Sequence, residues 1–167
     1  MEAADPARAV GSAIHAPEQN EENVMATVRT AQAHWEGSLM EGQGEVELVT
    51  SGTGSFEVNW ASRANESDGK TSPEELIAAA HSTCFSMALS HGLAQAGNAP
   101  TSIDTTADVT FQAGQGITGI TLTVKGVVPG LTPLQFEEAA QDAKKNCPVS
   151  QALTGTTITL EASLVEG

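Results

Sequence analysis

The sequence predicts an α+β domain, on three observations. A long stretch with helix signals at both ends, Ser72 to Gly97, stands near the middle of the chain. Segments with apolar residues at alternate positions lie on both sides of it. A second helical stretch then precedes one last alternating segment. Strands, helix, strands, helix, strand is an α+β order, and no repeat period interrupts it. At 167 residues the chain suits one domain with a substantial core.

Residues 1–24 mix Ala, Glu, Asn and Pro without a steady period. This predicts a disordered or loosely docked acidic extension, with the domain spanning 25–167. The patterned chain begins at Met25, a candidate alternative start. From about Thr27 to Trp60 the period shortens towards two. AQAHWEG, GEVELVT and SFEVNW, separated by EGQG and SGTG, predict three short antiparallel strands. ASRANESDGKT then reads as a polar loop that delivers Arg63 just ahead of the long helix.

That helix carries its own punctuation. Ser72 can accept first-turn N–H groups, Glu75 completes a capping box, and Pro73 suits the first helical position. Gly97 offers the left-handed conformation that closes a helix. Leu76, Ile77, Ala80, Cys84, Met87, Ala88 and Leu93 recur at helical spacing in a stretch almost free of charge. A helix buried at the centre of the molecule, with Cys84 in its middle, is expected.

Beyond Gly97 the alternation returns. SIDTTADVTF puts Ile103, Thr105, Ala107, Val109 and Phe111 on one face, and GITLTVKGVV does so with Ile120, Leu122 and Val124. A second helix is expected from Thr132–Pro133 through LQFEEAAQDAKK, with Lys144 and Lys145 complementing its C-terminal dipole. Pro148 stops it directly after Cys147 and opens a further short turn. TTITLEASLV is the last strand, alternating through Ile158, Leu160, Ala162 and Leu164.

A net charge of −14 with seven Lys plus Arg argues against a nucleic-acid partner, which needs a basic stripe. No apolar run of about 20 residues marks a membrane span. The N-terminus lacks a basic segment and apolar h-region, so a cytoplasmic protein is expected. In that reducing compartment Cys84 and Cys147 read as a redox pair or as two unrelated buried thiols, rather than as a structural staple.

By pattern alone each cysteine also fits an inert, buried small side chain. His81, three residues before Cys84 on the same helix face, raises a hydrolase reading in which an imidazole activates the thiol. Against it, Cys84 lies inside a helix rather than at its start, with no Gly-rich oxyanion loop beside it. Four scattered histidines and no CxxC lack zinc spacing, so no metal is expected. His81 fits a core or supporting role better, and His34 and His91 carry none. Arg63 and Glu74 make an ordinary surface pair unless a thiol stands near. Beside one, an arginine stabilises both the thiolate and the oxyanion that peroxide cleavage produces.

TSPEELIAAAHSTCFSMAL, SIDTTADV and NCPVSQAL together resemble the OsmC/Ohr family of thiol-dependent hydroperoxide reductases. The resemblance runs from about Met25 to the C-terminus. AHWEG, His81 ahead of the first cysteine and CPVSQ at the second suit the OsmC branch. It implies that Cys84 is the peroxidatic cysteine and that Cys147 resolves its sulfenic acid into a disulfide. Glu74 would orient the active-site arginine, which matches Arg63. Arg29 is the alternative, because ANESDGKT departs from the family's aromatic-containing stretch after the arginine.

The resemblance further implies antiparallel sheets wrapped around long central helices in an intertwined homodimer. The substrate would be an organic hydroperoxide and the reductant an external dithiol, of lipoyl type, with no prosthetic group. Glu74 and Cys84, ten residues apart on one helix, stand about 15 Å apart along its axis. If both are catalytic, Glu74 and Arg63 must meet Cys84 of a second chain. The remaining readings are the cysteine hydrolase and a non-catalytic dimeric stress or small-ligand-binding protein with buried thiols.

Overall fold

A computed structural model of the chain describes residues 26–165, and the expectations for residues 1–24 and Met25 lie outside them. The alternating segments before the long helix form strands β1 (Gln32–Glu36), β2 (Gln43–Glu47) and β3 (Ser55–Asn59). They pair antiparallel in the order β1-β2-β3, as the sequence predicts. Trp35 pairs with Gly44 across this sheet, and a Cβ on Gly44 would stand 2.8 Å from the indole ring. The glycine is what lets the ring lie over its neighbouring strand.

The expected polar loop after Trp60 begins instead as a helical turn, α1 (Trp60–Ala64). Its cause is local. The Asn59 side chain accepts from the Ser62 N–H at 2.7 Å, and the Ser62 hydroxyl oxygen accepts from the Asn59 N–H at 3.3 Å. This reciprocal capping box fixes the direction of Arg63. The box expected at the next helix, α2 (Pro73–Gln95), is only half formed. Ser72 Oγ accepts from the Glu75 N–H at 3.1 Å, but the Glu75 carboxylate takes the Thr71 hydroxyl at 2.6 Å instead. At the other end Gly97 has φ +83°, and the Asn98 N–H closes on the Leu93 carbonyl at 2.9 Å.

The covered stripe of α2 differs from the one expected. Glu74, His81, Phe85, Leu89 and Leu93 are buried, whereas Ala80 and Met87 are exposed. Two of the five buried residues are polar, so a count of apolar positions points the stripe the wrong way round the helix. Within one chain the helix is covered along this stripe rather than around most of its circumference.

The second sheet consists of β4 (Ser102–Gln112), β5 (Gly116–Val127) and β6 (Ile158–Leu164). β4 and β5 are antiparallel, while β6 joins β5 in parallel. The crossover between β5 and β6, α3 (Pro133–Asn146) and α4 (Pro148–Ala152), returns the chain to the start of the sheet, as a parallel pairing requires. Phe85, Leu89 and Leu93 of α2 meet Leu122 and Val124 of β5 and Phe136, Ala140 and Ala143 of α3 in one core, which ends at Cys147. Burying each large apolar side chain there contributes roughly 1.5–3 kcal/mol. The first sheet has no such cover. Every residue of β1 is exposed, Trp35 and Phe56 are each 41% exposed, and the sheet packs mainly on its own α1.

Candidate active site

Cys84 and Cys147 come together where the middle of α2 meets the α3–α4 break. Pro148 lacks an N–H and stops α3, leaving Cys147 between the two helices, fully buried. The two thiols are free and adjacent, close enough for each to perturb the titration of the other. Burial, then the hydrogen bond and negative charge of Cys147, push the Cys84 thiol above its ordinary pKa, and donation from the Val149 N–H only partly offsets this. Burial acts upward on Cys147 as well. There, hydrogen bonds from the Ser150 N–H, the Ser150 hydroxyl, Cys84 and the Val149 N–H outweigh it, so Cys147 lies below the usual thiol value. Within the single chain these surroundings make Cys147 the more acidic thiol of the two and Cys84 the less acidic.

His81 lies one turn before Cys84 and is fully buried. Its Nε2 is 2.7 Å from Ser150 Oγ, and its Nδ1 has no partner. Burial lowers its pKa, so the imidazole is neutral. It does not pair with Cys84 as a hydrolase dyad would. Its hydrogen bond goes instead to Ser150, two residues after Pro148 and three after Cys147.

Arg63 and Glu74 form the other half of the predicted set. Arg63 Nη2 donates to Glu74 Oε1 at 2.8 Å, and Nε reaches both carboxylate oxygens at 3.1 and 3.2 Å. The Glu74 side chain is 7% exposed, and the two-point contact holds the guanidinium plane. That plane lies over the Phe111 ring, 4.3 Å from its centroid, with Trp60 edge-on to Phe111. Ala78, Phe111, Arg63 and Glu74 border a cavity of about 500 Å³. Arg29 makes only a 3.1 Å bond to the neighbouring Val28 carbonyl, so Glu74 is paired with Arg63 and not with the alternative. His34 is exposed beside Glu36, and His91 is exposed on α2. Among the described residues no cluster of three or more His, Cys, Asp or Glu could hold a metal ion.

The four predicted residues thus form two pairs. Cys84 meets Cys147, and Arg63 meets Glu74, but among the described residues no hydrogen bond or ion pair joins one pair to the other. The aromatic support of Arg63 by Phe111 also went unseen in the sequence, where Phe111 reads only as one apolar position on a strand.

The chain matches the family model described as OsmC-like protein over residues 65–161. It is 46% identical over 143 residues to peroxiredoxin OsmC of Escherichia coli (strain K12), covering 84% of this chain and 99% of that protein. It is 34% identical over 106 residues to the organic hydroperoxide resistance protein OhrA of Bacillus subtilis (strain 168), covering 60% of this chain and 73% of that protein. A solved organic hydroperoxide resistance protein from Elizabethkingia anophelis superposes with a TM-score of 0.63 at 26% identity, over 84% of this chain and all of that one.

Proposed function

The chain belongs to the OsmC-like protein family, and from that premise we propose that it is a thiol-dependent peroxidase that reduces organic hydroperoxides to alcohols. The observation that carries this reading is the adjacency of Cys84 and Cys147, two free thiols that perturb each other's titration. The names of its relatives, a peroxiredoxin and a hydroperoxide resistance protein, support it.

In the proposed cycle the Cys84 thiolate attacks the hydroperoxide. An S–O bond forms as the O–O bond breaks, and the alkoxide leaves and is protonated to the alcohol. The Cys147 sulfur then attacks the sulfenic acid of Cys84, forming a disulfide and releasing water. An external dithiol, of lipoyl type, restores both thiols by exchange and is itself oxidised to a disulfide. The apolar surroundings of Cys84 favour an organic peroxide over hydrogen peroxide. The absence of any helix long and apolar enough to cross a membrane among the described residues is compatible with action in the cytoplasm.

Attack needs the charge on Cys84, whereas burial and Cys147 push the Cys84 thiol above its ordinary pKa in the single chain. A cation is missing, and Arg63 is the one held ready. Since α2 separates Glu74 from Cys84 by about 15 Å, Arg63 and Glu74 must serve Cys84 of a second copy. The proposed assembly is therefore a twofold homodimer with two sites at its interface. The uncovered first sheet, with Trp35 and Phe56, and the 68% exposed Met87 of α2 supply apolar surface for it.

The test is the intact mass of reduced protein after one equivalent of cumene hydroperoxide. A loss of two hydrogens, mapped to a Cys84–Cys147 link, is expected. Cys147→Ser should stop at the sulfenic acid, and Cys84→Ser should not turn over. Full steady-state activity in Cys84→Ser would sink the assignment. Unchanged mass with both thiols free would favour the non-catalytic reading instead.

A further inference from the structure

We propose that His81 and Ser150 act as a positioning pair for the second cysteine, holding Cys147 ready as the nucleophile that closes the disulfide on Cys84. This rests on the cycle above and adds to it a device for the second step. His81 is fully buried on α2 beside an apolar core, where an aliphatic side chain would cost less to bury. Its one polar contact, 2.7 Å from Nε2 to Ser150 Oγ, reaches across 69 positions of sequence to α4. Its Nδ1 is buried without a partner. A buried polar group kept at that cost needs a reason beyond packing.

The proton count supplies one. A proton on Nδ1 would leave a buried N–H orphaned, whereas a proton on Nε2 leaves there only a bare lone pair, the smaller penalty. With the proton on Nε2, His81 donates to Ser150 Oγ. The Ser150 hydroxyl then has its own proton free for Cys147, three residues earlier on the same turn. Imidazole and hydroxyl then form a one-way chain of donors directed at the Cys147 sulfur, which stabilises negative charge there. When Cys84 has become a sulfenic acid, Cys147 attacks its sulfur. The S–S bond forms, the S–O bond breaks, and the hydroxyl leaves as water with a proton from Cys147 or, where that is already a thiolate, from solvent. The peroxide has by then been consumed, and no further oxidant is needed.

The experiment is rapid mixing of the full-length reduced protein with one equivalent of cumene hydroperoxide. Alcohol release reads the first step, and appearance of the disulfide by acid quench and mass analysis reads the second. Ser150→Ala should slow disulfide closure about tenfold or more, the scale of one lost charge-assisted hydrogen bond, and slow alcohol release far less. His81→Gln, which keeps an amide N–H near the Nε2 position, should close within about threefold of wild type, and His81→Leu should behave as Ser150→Ala does. If His81→Leu does not fold, Ser150→Ala decides alone. Closure at the wild-type rate in Ser150→Ala, equal slowing of both steps, or equal behaviour of His81→Gln and His81→Leu would each overturn the proposal while leaving the peroxidase reading intact. A wild type that forms no Cys84–Cys147 disulfide would remove that reading, and this proposal with it.

Discussion

At the scale of the residue, the site shows how the same side chain changes meaning with its surroundings. Glu74 reads from its residues as half of an ordinary surface pair with Arg63, yet the pair's carboxylate is buried under a two-point contact. His81 reads as a core residue and is one, but its neutral state has a consequence for stability. Burial lowers its pKa from 6.5, so the unfolded chain binds a proton before the folded one does. Stability from this group is complete above pH 6.5 and is lost as the pH falls below it, by at most about 1.4 kcal/mol per pH unit. Urea unfolding at pH 7.5 and 5.5 should therefore show a smaller loss in His81→Gln than in wild type. Equal losses in the two proteins would contradict the neutral, buried imidazole. Cys84, Cys147 and Glu74 could be picked out because they stand in long motifs, and Arg63 because it precedes one. Ser150 could not, because one serine in CPVSQ becomes distinctive only when a histidine 69 positions away arrives at its hydroxyl.

At the scale of the element, most of the fold was legible. Alternation marked the strands, and the Ser72, Pro73 and Gly97 signals bounded α2 closely. The misses have physical causes. α1 is a single turn made by one capping box, too short to show a helical period. The parallel pairing of β6 follows from where α3 lies, and no residue within β6 encodes it. The seating of α3 on β5 is itself testable. Gly126 faces the Phe136 ring, and a Cβ there would stand 2.5 Å from it. Gly126→Ala should force the ring aside and destabilise the domain by roughly 1–3 kcal/mol. Thermal unfolding would check this, and an unchanged midpoint would mean that Phe136 does not rest on that strand.

At the scale of the whole molecule, the two residue pairs impose a geometric demand. A rigid helix keeps Glu74 from Cys84 of its own chain, so the proposed four-residue site would need two copies to be complete. Neither Arg63→Ala nor Cys84→Ser alone should be active. Mixed as equal amounts of unfolded chain and refolded together, they should recover about a quarter of wild-type activity, because half the dimers are mixed and each has one intact site. Recovery would place Arg63 and Cys84 of different chains in one site. No recovery, with mixed dimers shown to form, would remove the shared-site assembly.

The sequence by itself determined the local structure and the chemical inventory. Periodicity, caps and the proline after Cys147 act over a few residues, and the family motifs are contiguous, so both can be read along the chain. Only the tertiary structure decided which groups meet: Cys84 with Cys147, His81 with Ser150, and Arg63 with Phe111 as well as Glu74. These contacts join residues far apart in sequence, and they form only when burial of Phe85, Leu89, Phe136 and Leu122 brings α2, β5 and α3 together. The difference in acidity between the two thiols follows from the same contacts, since burial and hydrogen bonding act on a thiol only where its neighbours have been assembled.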